Sequence, residues 1–256
     1  MSYLTKDMTQ RVLSRLVDFE RGLKRYFESH GLDLHEDIGR RNALVSSAQE
    51  TFFALALGEI YRGVERDGKP GQPDIMIGEM NLELECKMTS GSGGSWSLQT
   101  DYTTLTRKGM IDFLYVLATP EFDRFCVLHF QGLTPDDFHP PSPGSREKSR
   151  MNKALAMEKC EVLWGDANCR NDKFLTGLRY ERDKLTQEMQ EVLTRLDASV
   201  NAAVKGNVTS QQSEKLLSLR DRETDRYSKK LTKLNDRIEH WKETEQQWAF
   251  TLNPLG

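Results

Sequence analysis

The chain has 256 residues, of which 37% are hydrophobic and 29% charged, and 36 basic against 39 acidic residues leave a formal net charge of −3. That length allows one elaborated domain or two modest ones, the composition excludes a disordered tail, and the charge gives no global pull toward nucleic acid. The longest apolar stretch, near 52–57, is far below the ~20 residues that span a bilayer, which excludes a transmembrane helix.

The first ten residues lack the basic region and apolar run of a secretory leader, so a cytoplasmic protein is expected. Val12, Leu13, Leu16, Val17, Leu23, Tyr26 and Phe27 recur at helical spacing, with Thr9 as the expected N-cap and Gly31 as the stop. A second helix is predicted over 42–61, ending at the breaker run 67–71. The period then changes from 3.6 to 2. Residues 74–77 and 82–88 read as two strands joined by a turn at 78–81, and 90–95 as a glycine-serine connector. A helix is predicted over 98–108, followed by interior strands at 113–118 and 125–130, a proline-rich loop at 139–145 and a strand at 160–164. His129 and His139 read as core or surface imidazoles. The four cysteines, Cys86, Cys126, Cys160 and Cys169, form no CxxC pair and read as free thiols.

Beyond residue 171 the composition shifts: 29 of the 75 residues from 172 to 246 are charged and none is proline. Leu178, Leu185, Met189, Val192 and Leu196 form one apolar seam, and Leu217, Tyr227, Leu231, Leu234, Ile238 and Trp241 a second. Arg182 interrupts the first, Arg220 and Thr224 the second. A turn at 205–210 makes the expected object an antiparallel helical hairpin. The domains are thus an α/β domain at 1–171, a coiled-coil arm at 172–246 and a tail at 247–256.

The chemistry concentrates in Pro73-Asp74 and Glu85-Cys86-Lys87. Strand alternation puts Glu83, Glu85 and Lys87 on one face and Leu82, Leu84, Cys86 and Met88 on the other, a charged row backed by a core. Asp74 and Glu85, on neighbouring strands, could converge on one Mg²⁺ with the main-chain carbonyl of Cys86, and Lys87 would lie beside it to offset developing phosphate charge. The competing reading of Glu85 and Lys87 is a solvated cross-strand ion pair, worth under about 1 kcal/mol.

The spacing Pro73-Asp74, ten residues, Glu85-Cys86-Lys87 resembles the PD-(D/E)XK nuclease superfamily, over about residues 40–135. The resemblance implies a restriction-endonuclease-like mixed central sheet flanked by helices. It implies that Asp74 and Glu85 bind Mg²⁺, for which Mn²⁺ substitutes, and that Lys87 assists the attacking water. A further acid on the preceding helix falls on Glu50; the alternative is an ion pair of Glu50 with Arg40 or Arg41. Gln99 and Tyr102 stand three apart where several members carry a Gln and a Tyr four apart on the following helix. Along the arm, Arg226, Lys229, Lys230 and Lys233 lie in a locally basic run that could follow phosphates, although interspersed acids make a solvated helix face the default.

The expected activity is Mg²⁺-dependent endonucleolytic hydrolysis of double-stranded DNA, leaving 5′-phosphate ends, by a homodimer acting as a type II restriction enzyme. One alternative is the nuclease subunit of a phage-defence or DNA-repair assembly, with the hairpin docking a protein partner. Another is a non-catalytic DNA-binding or coiled-coil scaffold protein.

Overall fold

Thr5 opens the first helix by accepting the Met8 N–H on its Oγ1 at 3.2 Å, so α1 spans Lys6–Ser29. Thr9, the expected cap, lies inside the helix and is fully buried. Met8, Val12, Leu13, Leu16 and Val17 form the buried face. Asp37 caps α2, Ile38–Gly58, by accepting the Arg40 N–H at 3.0 Å, one turn ahead of the predicted start. The elements that follow are β1 (Val64–Glu65), β2 (Ile75–Ile77), β3 (Leu82–Ser90), β4 (Gln99–Asp101) and α3 (Tyr102–Lys108). Next come β5 (Ile111–Ala118), β6 (Arg124–Leu133), β7 (Lys148–Arg150), α4 (Lys153–Ala156), β8 (Cys160–Trp164) and β9 (Asp166–Cys169). The chain ends with α5 (Arg170–Lys205), α6 (Ser210–Glu243), β10 (Trp248–Thr251) and β11 (Asn253–Pro254).

The computed structural model describes residues 2–67, 72–91, 96–142, 148–206 and 209–255. The predicted connector and turn residues at 68–71, 92–95, 143–145 and 207–208 lie outside that set. The chain divides into two units, Met1–Asn168 with Trp248–Gly256, and Cys169–Gln247. No helix among the described residues is long and apolar enough to cross a membrane.

In the first unit a mixed sheet runs in the order β1-β2-β3-β5-β6-β11, with β8 also pairing β6. The β3–β5 pair is parallel and the other pairs are antiparallel. Alternation sorts its side chains. Leu84, Cys86, Leu114, Val116 and Val127 join α1 and α2 in one core, while Phe113, Tyr115, Leu117, Leu128 and Phe130 build a second core on the opposite face. This is an α/β arrangement of a mixed central sheet flanked by helices, in keeping with the interleaved periods and with the coarse architecture that the resemblance implies. The expected helix at 98–108 is shorter: residues 99–101 are a strand paired with β7, and Asp101 starts α3 by accepting the Thr104 N–H at 2.8 Å. Residues 248–254, expected as a tail, supply β10 against β9 and β11 against β6.

The second unit is the predicted helical pair. Leu178, Leu234 and Ile238 form its buried seam with Leu175, Leu185 and Trp241 beside them, and Phe174 stacks on Trp241 at 4.7 Å. Arg220, which breaks the apolar seam, reaches across to Asp197 at 2.6 Å. At its base the Arg170 N–H donates to the Gln247 carbonyl at 2.7 Å, and buried Asn171 accepts the Gln247 N–H at 3.0 Å.

Candidate functional site

The site follows from a mismatch in strand length. β2 pairs with β3 only from Ile75↔Leu84 to Ile77↔Leu82, whereas β3 continues to Ser90, so beyond Leu84 the β2-facing edge of β3 has no strand against it among the described residues. Backbone groups on that edge need other partners. Extending the register by one residue sets Asp74 opposite Glu85, and the Asp74 carboxylate accepts the Cys86 N–H at 2.7 Å. One residue on, the Lys87 carbonyl receives Nε2 of Gln49, a fully buried residue of α2, at 3.5 Å. At the far end Ser90 bonds Asn42 Oδ1 and Arg41 Nη2, at 2.9 and 2.7 Å. The helix that carries Glu50 is thereby held along the open part of β3.

Glu85 and Lys87 lie on the same face of the strand and form an ion pair, with 14% and 32% of their side-chain surfaces still exposed, so solvent reaches both. Glu83, the third member of the row, pairs with Lys108 at 2.7 Å and belongs to a separate contact. Glu50 is half-buried, and neither Arg40 nor Arg41 is its partner: Arg40 pairs with Asp37, and buried Arg41 donates to the Pro120 carbonyl and to Ser90. The i+3 and i+7 neighbours of Glu50, Phe53 and Leu57, are fully buried, and so is the preceding residue, Gln49.

Electrostatics tie the group together. Burial raises the Glu50 carboxyl above the ordinary range, Asp74 and Glu85 push it the same way, and Arg66 and Lys87 oppose. Burial likewise raises Asp74, against the pull of Lys87, the Cys86 N–H and Arg66. For Glu85, burial raises and Lys87 opposes, with Asp74 and Asp101 adding to the rise. Burial alone would lower the Lys87 ammonium, but Glu85 and Asp74 outweigh it and hold the group above its usual value. Lys87 therefore stays charged at neutral pH, a proton donor and point charge rather than a base.

The donor chemistry suits a hard divalent cation: three carboxyl groups, each made more costly to ionise by burial, and Glu50 and Glu85 also by neighbouring acids, coupled to one ammonium. Buried Gln49 leaves its Oε1 without a hydrogen-bond partner beside them. In the arrangement seen, Asp74 is turned onto the Cys86 N–H and Glu85 onto Lys87. Among the described residues no three His, Cys, Asp or Glu side chains stand together as a ready-made metal-ligand group. Cys86 itself packs in the core, and burial keeps its thiol protonated.

The remaining candidates separate. Gln99 lies on β4, with its Nε2 on Ser97 Oγ at 3.0 Å, and Tyr102 begins α3; they do not share a helix, because the Asp101 cap falls between them. Arg226 and Lys229 are paired with Glu223 and Asp225 of their own helix, Lys230 lies over the Tyr227 ring, and Lys230 and Lys233 flank a groove with Glu181 and Glu188. Sequence reasoning missed Gln49, which bonds the Lys87 carbonyl, and Arg66 and Asp101, which act on the acids from outside the motif; it read His129 as a core or surface imidazole, and the residue is fully buried, but its partners Tyr3 and Asp112 were missed. In that set His129 Nε2 lies 3.0 Å from Tyr3 Oη, which donates to Asp112 Oδ2 at 3.0 Å. No protein-family model, curated protein or solved structure matches this chain.

Proposed function

We propose that the chain is a Mg²⁺-dependent DNA phosphodiesterase of the PD-(D/E)XK kind, with Asp74, Glu85 and Glu50 holding the ion and Lys87 beside it. The observation that supports this reading is the electrostatic coupling of Glu50, Asp74, Glu85 and Lys87, carried by α2, the residue before β2 and β3 itself, although the three carboxyl groups do not stand together as a ligand set. A bound divalent ion supplies a Lewis acid and a nucleophilic water at neutral pH. Lys87 Nζ, held protonated, offsets the charge that grows on the phosphoryl oxygens as water attacks. Glu85 aims that ammonium, and the Cys86 N–H fixes the Asp74 carboxylate. A restriction-endonuclease-like fold and a homodimer cutting defined duplex sites as a type II enzyme are the specific form of the proposal. A subunit of a phage-defence or repair assembly is its variant, with the arm as the docking element.

Incubation of purified protein with plasmid DNA tests it. Cleavage with Mg²⁺ that stops on adding EDTA is the expected result, with discrete bands for a recognition sequence and a smear for none. The rival scaffold reading, in which Glu85–Lys87 is an ordinary ion pair, requires intact plasmid under every metal condition.

A further inference from the structure

Beside the acids, on the face of the sheet that carries Glu85 and Lys87, lies a cavity of about 380 Å³ whose lining includes Lys87, Thr89, Ser97, Gln99, Asp101 and Lys148. Its far wall is the β4–β7 ribbon. There Thr100 and Ser149 pair inward and are buried, which leaves Gln99, Asp101 and Lys148 for the other side of the two strands. Lys148 is exposed and has no carboxylate partner among the described residues. Tyr115 closes the floor: it is buried, and its hydroxyl donates to the Gln99 carbonyl at 2.9 Å, fixing the ribbon to the sheet.

The cavity thus holds two ammonium groups at its walls and, between them, an amide, a carboxylate and hydroxyls. Ammonium groups suit phosphates, and a carboxylate and an amide suit the amino and ring-nitrogen edges of bases. Its size lies near the lower end of the ~300–1,000 Å³ range of small-ligand sites. That admits one nucleotide and excludes a stacked base pair, and a base that enters such a pocket must first leave its helix.

We infer that this cavity receives a single unpaired nucleotide next to the phosphate at Lys87, with Lys148 on its phosphate and Gln99 and Asp101 on its base edge. DNA with a nucleotide already displaced from the stack is therefore bound more tightly than uninterrupted duplex, which must first extrude one. The cutting step rests on the nuclease reading; the binding step does not.

Fluorescence anisotropy of the full chain in EDTA separates the two, using a labelled duplex, the same duplex with one unpaired nucleotide, and the single strand. The unpaired forms should bind about tenfold or more tightly than the duplex. Ser97→Trp, which fills the cavity from an exposed position, should erase that preference. Lys148→Ala should weaken binding of the unpaired forms and lower the slope of log affinity against log salt by about 0.7–0.9, the loss of one phosphate contact, and Lys148→Arg should restore it. Thermal melts check that each variant is folded. Equal affinity for all three DNAs, or a preference that survives Ser97→Trp, overturns the inference. Repeating the series with Mg²⁺ tells the two failures apart. Cleavage indifferent to Ser97→Trp overturns the cavity and leaves the nuclease reading, whereas a preference erased by Ser97→Trp with no cleavage upholds the cavity and overturns the nuclease reading.

Discussion

Burial raises the Glu50, Asp74 and Glu85 carboxyls, with neighbouring acids adding to the rise of Glu50 and Glu85, and the direction of that shift fixes a pH dependence. An acid with a raised folded-state pKa binds more protons than the unfolded chain does, so stability falls as pH rises from the unfolded value, about 4 for such groups, through the folded one. Glu50→Gln removes that cost. It should raise the melting temperature at pH 7 by a few degrees at most, since Glu50 is half-exposed, and the gain should vanish below about pH 4. A lowered melting temperature at pH 7 would show that Glu50 is stabilising and not a strained ligand. Lys87 has the opposite sign: its contribution is complete below the ordinary lysine pKa and is lost only as pH climbs through the raised alkaline value. Asp74→Asn and Lys87→Ala should each slow cleavage by about 10²-fold or more while the protein stays folded; wild-type cutting rates in either variant contradict the assignment. The alternation of Glu85 and Lys87 was legible in the sequence because a strand has period 2. The couplings of Glu50 to Arg66 and of Glu85 to Asp101 were not, because they join elements whose spatial order no local pattern encodes.

Among the elements, those with long periodic faces were read correctly in kind and misjudged at their ends. Thr5 and Asp37 cap helices one turn earlier than the apolar spacing begins, because capping depends on one hydrogen bond and not on amphipathicity. The three-residue strands β4 and β7 escaped altogether: each is too short to display a period, and they find each other only through the sheet beneath. One turn between elements carries a sharp steric demand. Gly165, between β8 and β9, has φ +77, and a Cβ there would lie 2.5 Å from the Thr251 carbonyl oxygen and 3.0 Å from Cys126 Cα. Both neighbours are backbone and neither can swing aside. Gly165→Ala should therefore cost about 3 kcal/mol or more, read as a lower urea midpoint at unchanged slope. A loss under about 0.5 kcal/mol would mean that β10 shifts freely against β9.

For the whole molecule, the first unit carries the acid cluster and the second is a separate helical pair whose two ends are hydrogen-bonded together, Arg170 to Gln247 and Asn171 to Gln247. Replacing residues 172–246 with a short flexible linker should leave ion binding intact and weaken DNA retention or assembly. Differential scanning measures the first: Mg²⁺ at 100 times its dissociation constant stabilises by about 2.7 kcal/mol, equally with and without the arm and not in Asp74→Asn. Loss of the Mg²⁺ effect on excision would mean that the arm helps to build the site. Seam periodicity made the hairpin visible in the sequence, but the destination of residues 248–254 was hidden, because a strand as short as β11 is defined by the edge it joins. That late joining bears on biosynthesis. Asn253 pairs with Phe125, so the ribosome must finish the entire arm before β6 acquires this neighbour, and the nascent sheet waits with that stretch of edge uncovered. Collapse of α5 onto α6 brings Arg170 and Gln247 together and turns a closure of more than a hundred residues into a short one. An early stop codon that trims only the last few residues should consequently yield more aggregate during translation than a nick at the far end of the arm.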